Sequence, residues 1–244
     1  MISESHWLVP ERPIESYGAY LEFLGGSAIE RARDLDGVSI VDELERSKLR
    51  GRGGAGFPTG MKWRTLLEHS CKKRYVVCNA AEGEPGTFKD RFLLRKNVYA
   101  PLEGLLIAAH ALGTTDVHIA LKKSFVPELA RIRSALEELA VAGLLDGIEV
   151  TVTEGPEEYL FGEEKALLNV IEGIGPLPRE AHYPPYERGL FGTAVSPNPA
   201  LVNNAETYAH VATILRHDPS PRRRVVSRTR YARHSRDCDF HREW

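Results

Sequence analysis

Three short stretches rich in valine and isoleucine alternate with longer segments of helical character, and this alternation restricts the possible folds most. The stretches cover residues 74–80, 116–122 and 148–155, and turn-forming residues bound each of them. In the segment that follows each strand, apolar residues recur every three or four positions, as in a helix with one buried face. Strands joined through helices form right-handed crossovers and lie parallel in one sheet. The sequence therefore predicts an α/β fold in which helices flank a parallel sheet.

Helical patterns also occur outside this alternating region. The first 50 residues contain two of them, "SYGAYLEFLGG" and "SIVDELERSKLRG", and residues 59–69 form a third. The stretch "LVNNAETYAHVATILRH" is predicted to be one helix, with Asn203 or Asn204 as its N-cap. Residues 174–200 are rich in proline and lack periodicity, which indicates an ordered connecting loop or a lid.

Charge and cysteine content exclude several classes of protein. The net charge is −2, but the last 25 residues hold eight arginines, so the rest of the chain is acidic and unsuited to nucleic acid. The longest apolar-leaning run, 14 residues from Ala100, is too short to cross a bilayer. Three cysteines without a Cys-x-x-Cys pair indicate a reduced compartment and no metal site. We therefore expect a cytoplasmic protein that does not insert into a membrane.

A glycine-rich loop, "GRGGAG" at 51–56, matches the Gly-x-Gly-x-x-Gly fingerprint of dinucleotide-binding proteins. That fingerprint should follow a strand, whereas a helix precedes Gly51; Phe57 also stands where a Walker loop needs lysine. The ingredients of an anion site remain, because glycines expose backbone N–H groups and a helix follows. Arg52 and Lys62 add positive charge. The alternative is a glycine-rich turn without a ligand.

Two further loops carry polar residues where a parallel sheet binds its ligands. "CNAAEGEPGTFKDR" follows the first predicted strand, and its Glu82 and Glu84 can accept hydrogen bonds from ribose hydroxyls or a carboxamide; the alternative is a solvated acidic turn. "YLFGEEKALLNVIEG" is predicted to start a helix near Gly162, with two glutamates in its first turn. With the amide pair of "VNNAET", these loops describe a nucleotide or flavin site.

Taken in order, four motifs resemble the NADH-binding flavin subunit of bacterial respiratory complex I and its relatives in NAD-reducing hydrogenases and formate dehydrogenases. The motifs are "RGRGGAGFPTGMKW", "CNAAEGEPGTFKDR", "YLFGEEKALLNVIEG" and "GLFG…LVNNAETYAHV". The resemblance implies a Rossmann-like FMN- and NADH-binding domain over 51–217, preceded by a helical segment over 1–50. It also implies hydride transfer from NADH to FMN, a thioredoxin-like [2Fe-2S] partner subunit, and a larger redox complex peripheral to the inner membrane.

The resemblance also implies roles for particular residues. NADH would enter above the flavin, with Phe57 beside its adenine and with Glu84 and Glu164 reaching its polar groups. Tyr183 or Tyr186 matches a further adenine-stacking aromatic residue. The turn beside the isoalloxazine ring is Gly162, Glu163 and Glu164. The residues implied for the FMN phosphate and ribityl chain are Gly51, Gly53, Gly54, Lys62, Asn79, Asn203 and Asn204.

The chain departs from the family pattern at Ala81, in the longer stretch between Gly192 and Leu201, and at its end. Ala81 replaces an aspartate that the family uses, so one ribityl hydrogen bond is expected to be missing. Residues 218–244 resemble nothing in the family, and we expect a disordered basic tail of the kind that a shifted reading frame produces. The β-grasp-like domain and the four cysteines for a [4Fe-4S] cluster are absent, and Cys238 alone cannot bind a cluster. The sequence thus predicts a shortened flavin subunit.

Two alternatives to a working NADH dehydrogenase module remain open at this stage. One is a truncated, non-catalytic remnant whose exposed interface drives aggregation or sequestration by partners. The other is a simple NAD-binding module that uses only the Gly-x-Gly-x-x-Gly match, whose NAD binding would be indifferent to FMN.

Overall fold

A computed structural model describes residues 8–179, 184–185, 187–193 and 195–216. Four strands lie in this part: β1 (Tyr75–Asn79), β2 (Asp116–Lys122), β3 (Glu149–Gly155) and β4 (Ala200–Asn204). The helices are α1 (Tyr17–Leu24), α2 (Ala28–Arg33), α3 (Gly37–Ser47), α4 (Thr59–Glu68), α5 (Lys89–Lys96), α6 (Tyr99–Leu112), α7 (Val126–Val141), α8 (Glu164–Ile171) and α9 (Ala205–Arg216). A 3₁₀ turn, Tyr159–Gly162, precedes α8.

The four strands form one parallel sheet in the order β3-β2-β1-β4, which confirms the predicted α/β fold class. In the register of the sheet, Asn79 at the end of β1 is paired with Asn204 at the end of β4. Lys122 at the end of β2 is likewise paired with Gly155 at the end of β3. All four carboxyl ends therefore meet at one edge, where the loops that follow them can share a ligand.

The fourth strand is the main difference from the sequence prediction, which assigned "LVNN" to the start of a helix. Instead β4 pairs with β1 over its whole length, and α9 begins only at Ala205. Leu201 and Val202 are buried in the hydrophobic clusters on opposite faces of the sheet, so this segment lacks the polar alternation that reveals a half-exposed strand. The predicted N-cap does form, since the side-chain oxygen of Asn204 accepts from the Glu206 N–H at 3.1 Å.

Helices cover both faces of the sheet. On one face Val76 and Ile119 belong to the large cluster that includes α6 and α9, and on the other Val77 and Val202 belong to a smaller cluster with Phe161 and residues of α8. The α6–α9 contact requires a glycine: a Cβ built on Gly104 would lie 1.9 Å from the backbone oxygen of Tyr208. Close packing of these helices fixes α9 behind the carboxyl edge of β4.

The N-terminal helices join the same core through a buried carboxylate, Glu103 of α6. Its side chain accepts hydrogen bonds from Tyr20 Oη at 2.6 Å, Ser27 Oγ at 2.7 Å and the Ala28 N–H at 2.6 Å, and it also pairs with Arg216. A carboxylate that is only 3% exposed is stable there because each oxygen has several donors. Among the described residues, none of the helices combines the length and the apolar composition that a bilayer crossing requires.

Candidate functional site

The glycine loop lies directly above the carboxyl edge of β4. Its ends are held together by the Gly51 N–H, which donates to the Phe57 oxygen at 2.9 Å. The Arg52 N–H donates to Thr207 Oγ1 of α9 at 2.9 Å, and a Cβ on Gly53 would lie 3.6 Å from Cβ of Asn204. These contacts attach the loop to β4 and α9.

The middle of this loop is open. Gly53 and Gly54 are exposed, and Gly54 has φ of 110°, a conformation that side chains disfavour. Within the described part of the chain, the backbone N–H groups of Gly53, Gly54 and Ala55 have no hydrogen-bond acceptor. Three unpaired donors on a loop that precedes a helix are suited to an anion such as a phosphate.

Lys62 and Glu164, predicted from two different motifs, are in direct contact. The Lys62 ammonium, with a side chain 15% exposed, donates to Glu164 Oε1 at 2.5 Å and to the Val202 oxygen at 2.5 Å. Lys62 lies in the first turn of α4, just after the glycine loop, and Glu164 begins α8. The pair therefore connects the glycine loop side of the site to the turn that carries Gly162 and Glu163.

That turn is fixed at the end of β1. Asn79 Nδ2 donates to the Gly162 oxygen at 2.8 Å, and a Cβ on Gly162 would approach the Ala81 oxygen to 3.0 Å. Glu163 is the N-cap of α8, since its carboxylate accepts from the backbone N–H groups of Lys165 and Ala166 at 2.9 and 2.8 Å. Of the two glutamates, Glu163 is thus occupied in capping.

The two glutamates of the acidic loop have different surroundings. Glu82 is half-buried and accepts from the backbone N–H groups of Asp90 and Arg91 at 3.3 and 3.5 Å, at the start of α5. Burial and the neighbouring Asp90 carboxylate raise the pKa of Glu82. Glu84 is exposed and accepts from Tyr159 Oη at 2.5 Å, so it joins this loop to the 3₁₀ turn.

The adjacent amides Asn203 and Asn204 point to opposite faces of the sheet, as consecutive residues in a strand do. Asn204 lies at the ligand edge, where its Nδ2 donates to Asp90 Oδ2 at 2.6 Å. Asn203 is 6% exposed; with its amide oriented to satisfy both groups, it accepts from Trp63 Nε1 at 2.8 Å and donates to the Val202 oxygen at 3.1 Å. The structure thus brings only Asn204 together with the acidic loop.

The predicted aromatic residues are less closely associated with the site. Phe57 follows the glycine loop with 53% of its surface exposed, and it has no ring contact within the described residues. Tyr183 and Tyr186 lie outside the described residues. Their predicted adenine-stacking role stays a prediction.

A charged network under the glycine loop was missed by the sequence reasoning. The Lys89 ammonium lies 2.7 Å from Asp90 Oδ1, 3.0 Å from Asn204 Oδ1 and 3.0 Å from Glu206 Oε2, and Arg52 Nε lies 3.8 Å from the same Glu206 carboxylate. Burial raises the pKa of Asp90, which is 3% exposed, against the opposing effect of Lys89. Burial also acts to raise the pKa of Glu206, but His210 and Lys89 lower it to about 2. The available signal was the charged run "KDR" at 89–91, shortly after the Pro-Gly turn at 85–86.

The family model described as Complex1_51K, Nuo51 FMN-binding domain, matches residues 44–213. The chain belongs to this family. The match confirms the resemblance inferred from the four motifs, and it supports FMN as the cofactor of this Nuo51-type domain.

Curated relatives of this Nuo51-type chain include the F subunit of NADH-quinone oxidoreductase of Aquifex aeolicus, 36% identical over 83% of this chain and 48% of the relative. The corresponding protein of Rickettsia felis is 41% identical over 74% of this chain and 44% of the relative. The chain spans about half the length of these relatives. A crystal structure of an NAD⁺-reducing [NiFe]-hydrogenase in the H₂-reduced state is similar with a TM-score of 0.73 and 34% identity, over 87% of this chain and 34% of that one. The similarity of the whole α/β framework is consistent with family membership.

The residues of this chain fit the phosphate end of FMN. The unpaired N–H groups of Gly53, Gly54 and Ala55 are donors for an anion, and nothing lies within 4 Å of a Cβ built on Gly54. Lys62 adds a positive charge at the start of the following helix. Within the described residues, no group of three or more His, Cys, Asp and Glu side chains is arranged to hold a metal ion.

Proposed function

We propose that residues 51–217 form a unit that binds FMN and NADH and transfers hydride from NADH to FMN. The observation that carries this proposal is the open glycine loop, whose three unpaired N–H groups lie above the carboxyl ends of β1 and β4. Bound FMN supplies the hydride-accepting chemistry, which belongs to the cofactor. The protein binds and orients the reactants and excludes water from them.

The phosphate end of FMN is assigned to the glycine loop. Gly53 and Gly54 donate backbone hydrogen bonds, while Arg52 and Lys62 contribute charge. Arg52 suits this role because its Nε is buried without a hydrogen-bond partner in the described part of the chain and is only loosely paired with Glu206. A dianionic phosphate would supply negative charge and the hydrogen-bond acceptor that Nε of the Arg52 guanidinium lacks among the described residues.

The ring end is assigned to the turn at Gly162. Asn79 holds the backbone of this turn, and Gly162 lets it approach the Ala81 backbone closely. Glu164 has a side chain 41% exposed and faces the site from the start of α8, beside Lys62. We assign it, with Glu84, to the polar groups of NADH, and we assign Phe57 to the adenine.

NADH is proposed as the electron donor because the relatives are named as components of NADH-quinone oxidoreductase and of an NAD⁺-reducing hydrogenase. Electrons would leave to a [2Fe-2S] partner subunit within a larger redox complex. We propose that this complex holds the chain at the cytoplasmic side of the inner membrane.

An anaerobic reduction experiment tests this function. Purified chain loaded with FMN and freed of excess flavin is mixed with one equivalent of NADH, and flavin absorbance is followed. We expect rapid loss of the oxidised flavin spectrum and its return with ferricyanide. FMN that binds but stays oxidised would support the non-catalytic alternative. NAD binding that is indifferent to FMN would support the simple NAD-binding module.

A further inference from the structure

Lys122 is a buried ammonium at the ligand-facing end of β2. Only 9% of the residue is exposed, and its Nζ donates to the backbone oxygen of Glu157 at 3.0 Å. No carboxylate among the described residues lies within ion-pair distance of it. Burying a cation whose hydrogen-bond partner is a backbone carbonyl costs free energy of folding compared with burying an apolar residue of similar shape. Packing alone therefore does not explain why a lysine occupies position 122.

Glu157 is also held through its side chain, by Ser124. The Glu157 carboxylate accepts from Ser124 Oγ at 2.6 Å and from the Ser124 N–H at 3.1 Å. The last residue of β2 therefore binds the backbone of Glu157, and Ser124 in the loop after β2 binds its side chain, so both hold one residue of the loop after β3. We call these contacts of Lys122, Ser124 and Glu157 the β2–β3 clasp.

The clasp ends two residues before Tyr159, where the 3₁₀ turn begins. The Tyr159 hydroxyl donates a hydrogen bond to Glu84. A Cβ built on Gly83 would lie 3.3 Å from the backbone oxygen of Tyr159 and 3.7 Å from Lys122 Nζ. Gly83 thus lets the acidic loop lie close against both the turn and the ammonium. Because Glu157 is only two residues from Tyr159 in the chain, a displacement of Glu157 would also displace Tyr159 and its hydrogen bond to Glu84.

We infer that Lys122 is a positioning residue that sets Tyr159 and Glu84 for NADH through the β2–β3 clasp. This inference rests on the proposed function, in which Glu84 contacts the dinucleotide. The glycine loop contacts α9, and Lys62 contacts β4 as well as Glu164 of α8, so the FMN phosphate contacts do not pass through the clasp. Loss of Lys122 should therefore weaken NADH binding more than FMN binding.

The first test needs no cofactor. Hydrogen exchange of the backbone amides of 157–162 is measured by mass spectrometry in the unloaded wild type, in Lys122→Met and in Lys123→Met. The adjacent Lys123 is exposed and makes none of the clasp's hydrogen bonds, so its substitution removes the same charge and leaves those hydrogen bonds in place. We expect exchange about tenfold faster in Lys122→Met, from loss of a hydrogen bond to a charged donor, and no change in Lys123→Met.

The second test uses the FMN-loaded protein. For Lys122→Met we expect KM for NADH to rise about tenfold, with kcat and the Kd for FMN within about twofold of wild type. Lys122→Arg, which keeps a cationic donor, should recover much of the KM. Ser124→Ala, at an exposed position, removes the hydroxyl hydrogen bond to Glu157 and keeps the backbone one, so it should shift exchange and KM in the same direction by a smaller factor.

The results separate this inference from the proposed function. Unchanged exchange in both Lys122→Met and Ser124→Ala would overturn the inference, as would an equal loss of FMN and NADH binding. If Lys122→Met does not fold, Ser124→Ala decides the question by the same two readouts. A wild type that binds no FMN would defeat the proposed function, while the exchange experiment would still decide whether Lys122 positions the turn.

Discussion

At the scale of single residues, the site is built from pairs of groups that lie far apart along the chain. Lys62 and Glu164 are 102 residues apart and share a hydrogen bond of 2.5 Å, and Arg52 and Lys89 both face Glu206. Arg52, Lys62 and Lys89 thus each have a carboxylate neighbour in the structure without a ligand. Binding an anion there means that these cations exchange or share their partners, which makes affinity sensitive to each one.

Lys62→Ala should weaken FMN binding selectively. Loss of a charge-assisted contact to a phosphate costs about 1.5–3 kcal/mol, so we expect a Kd for FMN at least about tenfold higher. Flavin fluorescence titration measures this, with Lys72→Ala, a substitution at an exposed lysine, as the control. Equal affinities of the two variants would contradict the assignment of Lys62.

Glu206 makes the free energy of unfolding depend on pH in the acid range. Its pKa of about 2 in the folded chain lies below the ordinary value of 4.5, so the unfolded chain takes up the proton first as pH falls. The stabilisation is complete above about pH 4.5 and is lost as pH falls through about 2, a change on the order of 3 kcal/mol. Urea unfolding at several pH values should show a shallower acid slope in Glu206→Gln. Parallel slopes for the two proteins would contradict this role.

At the scale of elements, the position of the site follows from the sheet and the helices behind it. The alternation of strands and helices predicted the parallel sheet, and the rule that ligands bind at the carboxyl edge placed the loops after β1 and β3 there. The strand β4 escaped prediction because both its faces are buried and α9 follows without a turn. For the same reason the sequence could not separate Asn203, which contacts Trp63, from Asn204, which lies at the edge.

Gly104→Ala tests the α6–α9 packing that supports this edge. The added methyl group would collide with the Tyr208 backbone, so we expect a loss of about 2–4 kcal/mol in the free energy of unfolding. Gly18→Ala in α1 is the matched helical control, because the nearest atom to its Cβ is 3.9 Å away, and it should be neutral or stabilising by up to about 1 kcal/mol. Thermal or urea unfolding of both variants gives the comparison, and similar stabilities would refute the close contact.

At the scale of the whole molecule, the described residues form one parallel sheet with helices on both faces and an open glycine loop at its carboxyl edge. Motifs and family resemblance were sufficient to predict this architecture and FMN as its cofactor. They could not predict which side chains pair with each other, because the Lys62–Glu164 contact and the Lys89 network depend on the packing of α4, α5, α8 and α9 around β4. Side-chain partners of this kind are set by tertiary structure.

The loop at 51–56 is proposed to bind the phosphate of FMN. Riboflavin has the same ring and ribityl chain without the phosphate, so the ratio of the two dissociation constants isolates this contact. Equilibrium fluorescence titration of the purified chain should show FMN binding about 100-fold tighter than riboflavin, the equivalent of two charge-assisted contacts. Equal affinities for FMN and riboflavin would contradict the account.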